Sequence, residues 1–159
     1  MTNFRLNGRT FLLVVLTLTL LTSMANAQTY TVLHNFNETD GCCALYPSML
    51  AQGQDGDIYG ATTSGGTNFY GNIFRMTPSG TLTSIHSFDL THGGYPQGGI
   101  SMAMDGNFYG ATYQGGIHHY GTLFKITPGG AFTELYDFNN TTDGAYPKTP
   151  PVQDRKSVV

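Results

Sequence analysis

Residues 55–80 read DGDIYGATTSGGTNFYGNIFRMTPSG, and residues 105–130 read DGNFYGATYQGGIHHYGTLFKITPGG. The two stretches align without a gap at an offset of 50, and 14 of their 26 positions are identical. Several of the others are conservative exchanges: Ile58/Phe108, Ile73/Leu123, Arg75/Lys125 and Met76/Ile126. Such a match signals internal duplication, and a period of about 20–50 residues points to solenoids, propellers or arrays.

The repeat extends outward. Leu33-His34-Asn35-Phe36 corresponds to Ile85-His86-Ser87-Phe88 and to Leu135-Tyr136-Asp137-Phe138. Tyr46-Pro47 recurs as Tyr95-Pro96 and Tyr146-Pro147. The spacing from Phe to Tyr is 10, 7 and 8 residues, so this connection reads as a tolerant surface loop. The first copy of that loop is the longest and contains Cys42-Cys43.

Each unit reads as four short strands. The first strands are Met49–Gln52 and Ile100–Met104, followed by Asp55-Gly56 and Asp105-Gly106 as two-residue hairpin turns. The second are Asp57–Thr62 and Asn107–Thr112, broken by Gly65-Gly66 and Gly115-Gly116. The third are Asn72–Thr77 and Thr122–Thr127, closed by Pro-Ser-Gly or Pro-Gly-Gly. The fourth are Thr81–Phe88 and Phe132–Phe138. Turn signals every ~10 residues and frequent glycine argue for an all-β fold without long helices.

Four antiparallel strands per ~50 residues is the pattern of a β-propeller blade. One four-stranded sheet cannot bury both faces alone. Stacked blades would bury Tyr59, Phe74, Phe88 and their equivalents. The expected fold is therefore all-β, with propeller-like four-stranded antiparallel blades, about two and a half repeats and an incomplete ring. The units run from about 31–80, 81–130 and 131–153, and a partial third sheet is expected. Tyr59 and Tyr109 are expected to share burial and neighbours.

The ends read differently. Arg5 and Arg9 precede an apolar run, Phe11–Leu21, and Ala25-Asn26-Ala27 supplies a cleavage site. This is the pattern of a signal peptide over 1–27. Eleven helical residues span about 16 Å, too short for a ~30 Å hydrocarbon core. The expected location is exported: periplasmic, cell-surface or extracellular. Residues 154–159, DRKSVV, translate a string resembling a common sequencing adapter, GATCGGAAGAGCGTCGTG. They are expected to be an adapter-derived tail on a fragment of a longer propeller.

Composition narrows the function. Residues 28–153 hold three bases (Arg75, Lys125, Lys148) against nine acids, a net charge of −6. Without a basic stripe, such a surface repels phosphate backbones, so no nucleic-acid partner is expected. Glycine is abundant, at 21 of 159 residues, but has no Gly-X-Y period, which excludes collagen.

The run Tyr-Pro, Asp-Gly-Asn-Phe-Tyr-Gly-Ala-Thr, Gly-Gly, Tyr-Gly-Thr-Leu-Phe-Lys-Ile-Thr-Pro-Gly-Gly and a closing His-Ser-Phe resembles the GloVer-type tandem repeat. The resemblance covers Thr31 to about Pro150. It implies an exported bacterial protein of many ~50-residue copies with propeller-like folding, and it brings no established activity. Members often carry C-terminal surface-sorting signals; this chain shows none.

Candidate chemistry is sparse. His34 and His86 share a register that Tyr136 fills in the third copy, which argues for packing over catalysis, because a general base must keep its titrating group. His118-His119 stand where the first unit has Asn68-Phe69, and no third metal ligand is evident. Asp55 and Asp105 precede glycine in a turn, and Asp57 is replaced by Asn107, so no calcium loop is assembled. The glycine-rich strings match no phosphate-binding or nucleophile-elbow motif. Cys42-Cys43 would tend to oxidise in an exported protein and read as a local feature. Asn37-Glu38-Thr39 and Asn139-Asn140-Thr141 are sequons, relevant only in a eukaryotic secretory path. Phe69, Tyr70 and Tyr120 could stack on sugars, but core packing is the favoured reading.

No catalytic, cofactor-binding or metal residue is therefore assigned. The expected function is a non-enzymatic binding or surface scaffold for a protein or polysaccharide partner, with end blades that self-associate. The alternative is a polysaccharide lyase or hydrolase working in an axial pocket. Export can be tested directly: the N-terminus of protein secreted from a bacterial host should be Gln28, and retention of Met1 on the secreted chain would refute the signal.

Overall fold

The computed structural model describes residues 29–43 and 50–154. The expected signal segment, Tyr46-Pro47 and all of the 154–159 tail except Asp154 lie outside the described residues. Contacts divide the chain into Met1–Val32 and Leu33–Val159, and every strand belongs to the second unit. No helix occurs among the described residues.

Eight strands form in chain order: β1 Leu50–Gln52, β2 Ile58–Thr62, β3 Asn72–Met76, β4 Leu82–Ser87, β5 Ile100–Met102, β6 Phe108–Ala111, β7 Thr122–Ile126 and β8 Phe132–Asp137. They make two four-stranded sheets, ordered β1-β2-β3-β4 and β5-β6-β7-β8, with every pair antiparallel. The registers repeat: Tyr59 faces Arg75 as Tyr109 faces Lys125, and Ile58 faces Met76 as Phe108 faces Ile126. A bulge recurs after Ile73 and after Leu123. Each sheet closes beyond the glycine that ends its 26-residue match, because β4 and β8 follow Gly80 and Gly130. The anticipated partial third sheet does not form among the described residues; the third copy contributes β8 to the second sheet.

The turns show why Asp-Gly recurs. The structure corrects the expected two-residue hairpin. Gly56 N–H donates to Gly53 C=O (3.1 Å), and Gly53 N–H donates to Asp57 C=O (2.8 Å). The loop is thus Gln54-Asp55-Gly56, with Gly56 in the left-handed region at φ 86°. This is a type I turn followed by a left-handed residue, where glycine is strongly favoured. Asp55 bonds the Asp57 N–H at 3.1 Å, and Asp105 bonds the Asn107 N–H at 3.0 Å, which fixes each turn.

The core lies between the sheets. Side chains alternate across a strand, so Tyr59, Ala61 and Ile73 leave one face of the first sheet while Phe108, Phe124 and Ile126 leave the facing side of the second. Phe88, just after β4, completes the seam. Tyr59 stacks on Phe108 at 4.2 Å, and Phe88 meets Phe124 at 5.4 Å and 64°. Aromatic pairs at these separations add to the burial of apolar area.

Tyr59 and Tyr109 differ, contrary to the repeat-based expectation. Tyr59 is buried under Phe108, whereas Tyr109 is half-buried. The reason is position: Tyr109 lies on the far face of the second sheet, beside Pro151–Gln153 rather than under a neighbouring sheet among the described residues. There Ser101 Oγ donates to Pro151 C=O (2.8 Å) and Met104 N–H donates to Gln153 Oε1 (2.8 Å).

Phe88 is fully buried and Phe36, its equivalent in the first copy, is 38% exposed. Phe88→Ala should therefore cost about 3–5 kcal/mol, and Phe36→Ala clearly less. Urea melts with matched slopes test this, and equal losses would contradict the seam as the centre of stability.

Candidate loop-end site

The loops at one end of the sheets bring the variable side chains together. A cleft of about 320 Å³ is lined by Tyr70, Asp89, Leu90, Thr91, Gly116, Ile117 and His119. Its walls are Tyr70 of the loop between β2 and β3, the segment after β4 and the glycine-rich loop between β6 and β7.

The backbone of these loops is repeated closely. Gly66 N–H donates to Glu38 C=O and Gly116 N–H to Leu90 C=O, both at 3.1 Å. Tyr95 N–H donates to Tyr70 C=O (2.7 Å), and Tyr146 N–H to Tyr120 C=O (2.8 Å). Tyr70 and Tyr120 pack edge-on against Tyr95 and Tyr146 at 5.6 and 5.5 Å. Phe69 and His119 both take left-handed backbone, at φ 67° and 65°. Phe69 is nonetheless 65% exposed, so it is not the core residue the sequence suggested. The left-handed turn points it outward while its neighbour Tyr70 takes the packed position.

His118 and His119 separate into different roles. His118 Nδ1 lies 3.1 Å from Asp137 Oδ2, and that same oxygen accepts from the Ile117 N–H at 2.7 Å. Asp137 replaces Ser87, whose Oγ accepts from the Thr67 N–H at 2.9 Å in the first unit. His119 lines the cleft instead. Among the described residues no group of three or more His, Cys, Asp or Glu side chains could hold a metal ion.

The His34 register has a simple physical account. His34 Nε2 lies 2.9 Å from Asp40 Oδ2, and Tyr136 Oη donates to Asp143 Oδ2 at 2.6 Å. Either ring reaches a carboxylate in the following loop. The middle copy has His92 where Asp40 stands, so His86 Nε2 is buried without a partner, and its ring stacks flat on Phe132 at 4.0 Å. Burial pushes the His86 pKa down, opposed by Asp89 and assisted by His92.

Asp55 and Asp105 anchor tyrosines as well as turns. Tyr59 and Tyr109 donate their hydroxyls to these carboxylates at 2.8 and 2.9 Å. The Tyr59 hydrogen bond is the main cause holding Asp55 below its usual range, while burial first and Asp55 next push Tyr59 up to about 12. Arg75 pairs with Asp57 and lies 3.6 Å from Asp55; Lys125 lies 3.7 Å from Asp105. Cys42 and Cys43 are free thiols with sulfur atoms 2.8 Å apart.

Sequence reasoning passed over Asp89, His92, Glu134 and Asp137. Burial first, then Asp137, raises the Glu134 pKa, with Asp89 adding and His92 opposing. The readable signal was the fourth-strand exchange Ser84/Glu134 and Ser87/Asp137 at the same offset of 50.

The fold and these interlocking loops define an all-β tandem-repeat protein. The family description Gloeobacter/Verrucomicrobia repeat matches residues 17–159, and the chain belongs to that family. No curated protein matches the chain.

His86 gives a pH test. Its folded-state pKa lies below the ordinary 6.5, so the stability from its neutral form is complete above about pH 6.5. That contribution is lost as pH falls through the lowered value. His86→Phe keeps the stack on Phe132 and removes the titration. Its melting temperature should fall less than wild type between pH 7.5 and 5, and identical falls would contradict the assignment.

Proposed function

We propose that this protein is a non-enzymatic binding module, exported and propeller-like, and a stretch of a longer stack of blades. The observation that carries the reading is a constant loop frame with changing tips. Thr67-Asn68-Phe69 and Ile117-His118-His119 share a backbone path and the following Tyr, yet differ at all three positions. Phe69 and Ile117 are 65% and 79% exposed at those tips. A rigid scaffold carrying variable exposed loops is the usual arrangement for binding.

The far face of the second sheet supports the stacked arrangement. It leaves Leu135 and Tyr136 half exposed, where the corresponding face of the first sheet is covered. A further blade would bury them. A polysaccharide is the favoured partner, because exposed aromatic and polar tips beside a shallow cleft suit sugar rings. Among the described residues no helix is long and apolar enough to cross a membrane.

The competing lyase or hydrolase reading draws on one observation: the second sheet alone carries Glu134 and Asp137 where the first has Ser84 and Ser87. One experiment addresses both. The purified chain and a Phe69→Ser/Ile117→Ser/His119→Ser variant are passed over immobilised polysaccharides. Binding by the wild type that weakens at least tenfold in the variant is expected. Release of reducing or unsaturated sugar, abolished by Glu134→Gln, would replace the binding role with catalysis.

A further inference from the structure

Residues 33–43 behave as a piece of a repeat without its sheet. Phe36 packs on Phe74 at 5.1 Å and 60°, as Phe88 packs on Phe124 at 5.4 Å and 64°. His34 sits edge-on to Phe36 as His86 does to Phe88, at 5.0 and 4.9 Å. Cys42 exchanges backbone hydrogen bonds with Ser64 as Gly94 does with Gln114. Asn72 Nδ2 donates to Asp40 C=O (3.0 Å) where Thr122 Oγ1 donates to His92 C=O (3.2 Å). Contact by contact, 33–43 lies on the first sheet as 85–95 lies on the second.

One difference separates them. Residues 85–87 belong to β4 and are hydrogen-bonded to β3, whereas Leu33–Phe36 forms no strand and its backbone makes no hydrogen bond among the described residues. The segment covers only part of the face beneath it. Leu50 remains 63% exposed and Ile58 half-buried, while their equivalents Ile100 and Phe108 are buried in the seam.

The same chain carries the matching surface. The segment 135–146 repeats 33–43 with its sheet attached. Tyr136 is edge-on to Phe138 at 5.3 Å and bonded to Asp143, and Asn139 N–H donates to Asp143 Oδ1 as Asn37 N–H does to Asp40 Oδ1. Beside it, Leu135 and Tyr136 are 50% and 45% exposed and Tyr109 is half-buried.

We infer that Leu33–Cys43 is an internal stand-in for a preceding repeat, covering a docking face whose occupant is the β8 side of a second copy of this chain. Phe138 of the incoming copy takes the place of Phe36, Tyr136 lies over Leu82 as His86 lies over Phe132, and, once the incoming copy's Pro151–Gln153 leaves that face, Tyr109 lies over Ile58 as Tyr59 lies over Phe108. The tethered segment has the advantage of high effective concentration. The incoming copy brings a preformed sheet and a larger apolar face, so exchange depends on protein concentration. The contact is head-to-tail, which either closes a ring or continues as a filament. It depends on the seam alone and holds whether or not the loops bind a polysaccharide.

The test uses full chains carrying Cys42→Ser and Cys43→Ser. One sample adds Leu82→Cys and the other Tyr136→Cys, and the two are mixed at increasing concentration with oxidised glutathione. Disulfide-linked mixed dimers are expected from the mixture and not from either chain alone. Absence of mixed dimers up to millimolar protein, or equal dimers from each chain alone, would overturn the proposal. Light scattering adds a second readout. Phe36→Ser should dimerise at least tenfold more tightly than wild type, and Leu135→Glu should remain monomeric. A folded Phe36→Ser chain that stays monomeric, or a Leu135→Glu chain that dimerises like wild type, would also overturn it.

Discussion

The face-to-face packing of Tyr59, Ile73 and Phe88 against Phe108, Phe124 and Ile126 is the contact on which everything else rests. A lone four-stranded sheet of strands three to six residues long has too little interior to hold its shape. Laid against a neighbour, it gains a dry aromatic layer, and the strand ends then hold the loops in register. The loop hydrogen bonds from Tyr95 to Tyr70 and from Gly116 to Leu90 form across that same seam. Sheet packing and loop geometry therefore stand or fall together.

Much of this was legible in the sequence. The gapless match between 55–80 and 105–130 located the second and third strands of both sheets to within a residue or so, because paired strands repeat with their turns. The all-β class followed from the same match, and so did the family. What the sequence concealed depends on neighbours. Tyr59 and Tyr109 occupy the same register, yet only one has a sheet above it. Phe69 and Tyr70 are adjacent aromatics, and a left-handed residue sends the first outward and leaves the second packed. The Asp-Gly pair was readable as a turn, but whether two or three residues span it depends on the hydrogen bond from Gly53 to Asp57.

The candidate site divides in the same way. Asp55, Asp105, His34 and Tyr136 are engaged by hydrogen bonds that their repeats predict once the partner is known. Glu134 and Asp137 are acids that the second sheet carries where the first has serines. Both lie on β8, beyond the match that ends at Gly130, and their setting depends on β7 and the glycine-rich loop they pack against. Asp137 still does in the second sheet what Ser87 does in the first, accepting from the backbone of the glycine-rich loop. The exchange alters charge at a site whose architecture stays the same.

Asn72 and Thr122 hold corresponding places and tether corresponding carbonyls, at Asp40 and His92, through different chemistry. Asn72 is braced by the Ser84 hydroxyl at 2.7 Å, and Thr122 by the Thr112 hydroxyl at 2.9 Å. Each anchor has a support, on the fourth strand in one unit and just past the second in the other. An Asn at 122 would meet Glu134 where Asn72 meets Ser84, whereas a Thr at 72 would stand opposite the Thr62 hydroxyl, the counterpart of that of Thr112, which in the first unit is buried without a partner. The two tethers are therefore unequal in transfer: the threonine pair of the second unit has its brace waiting in the first, and the asparagine of the first needs the Ser84 that the second lacks.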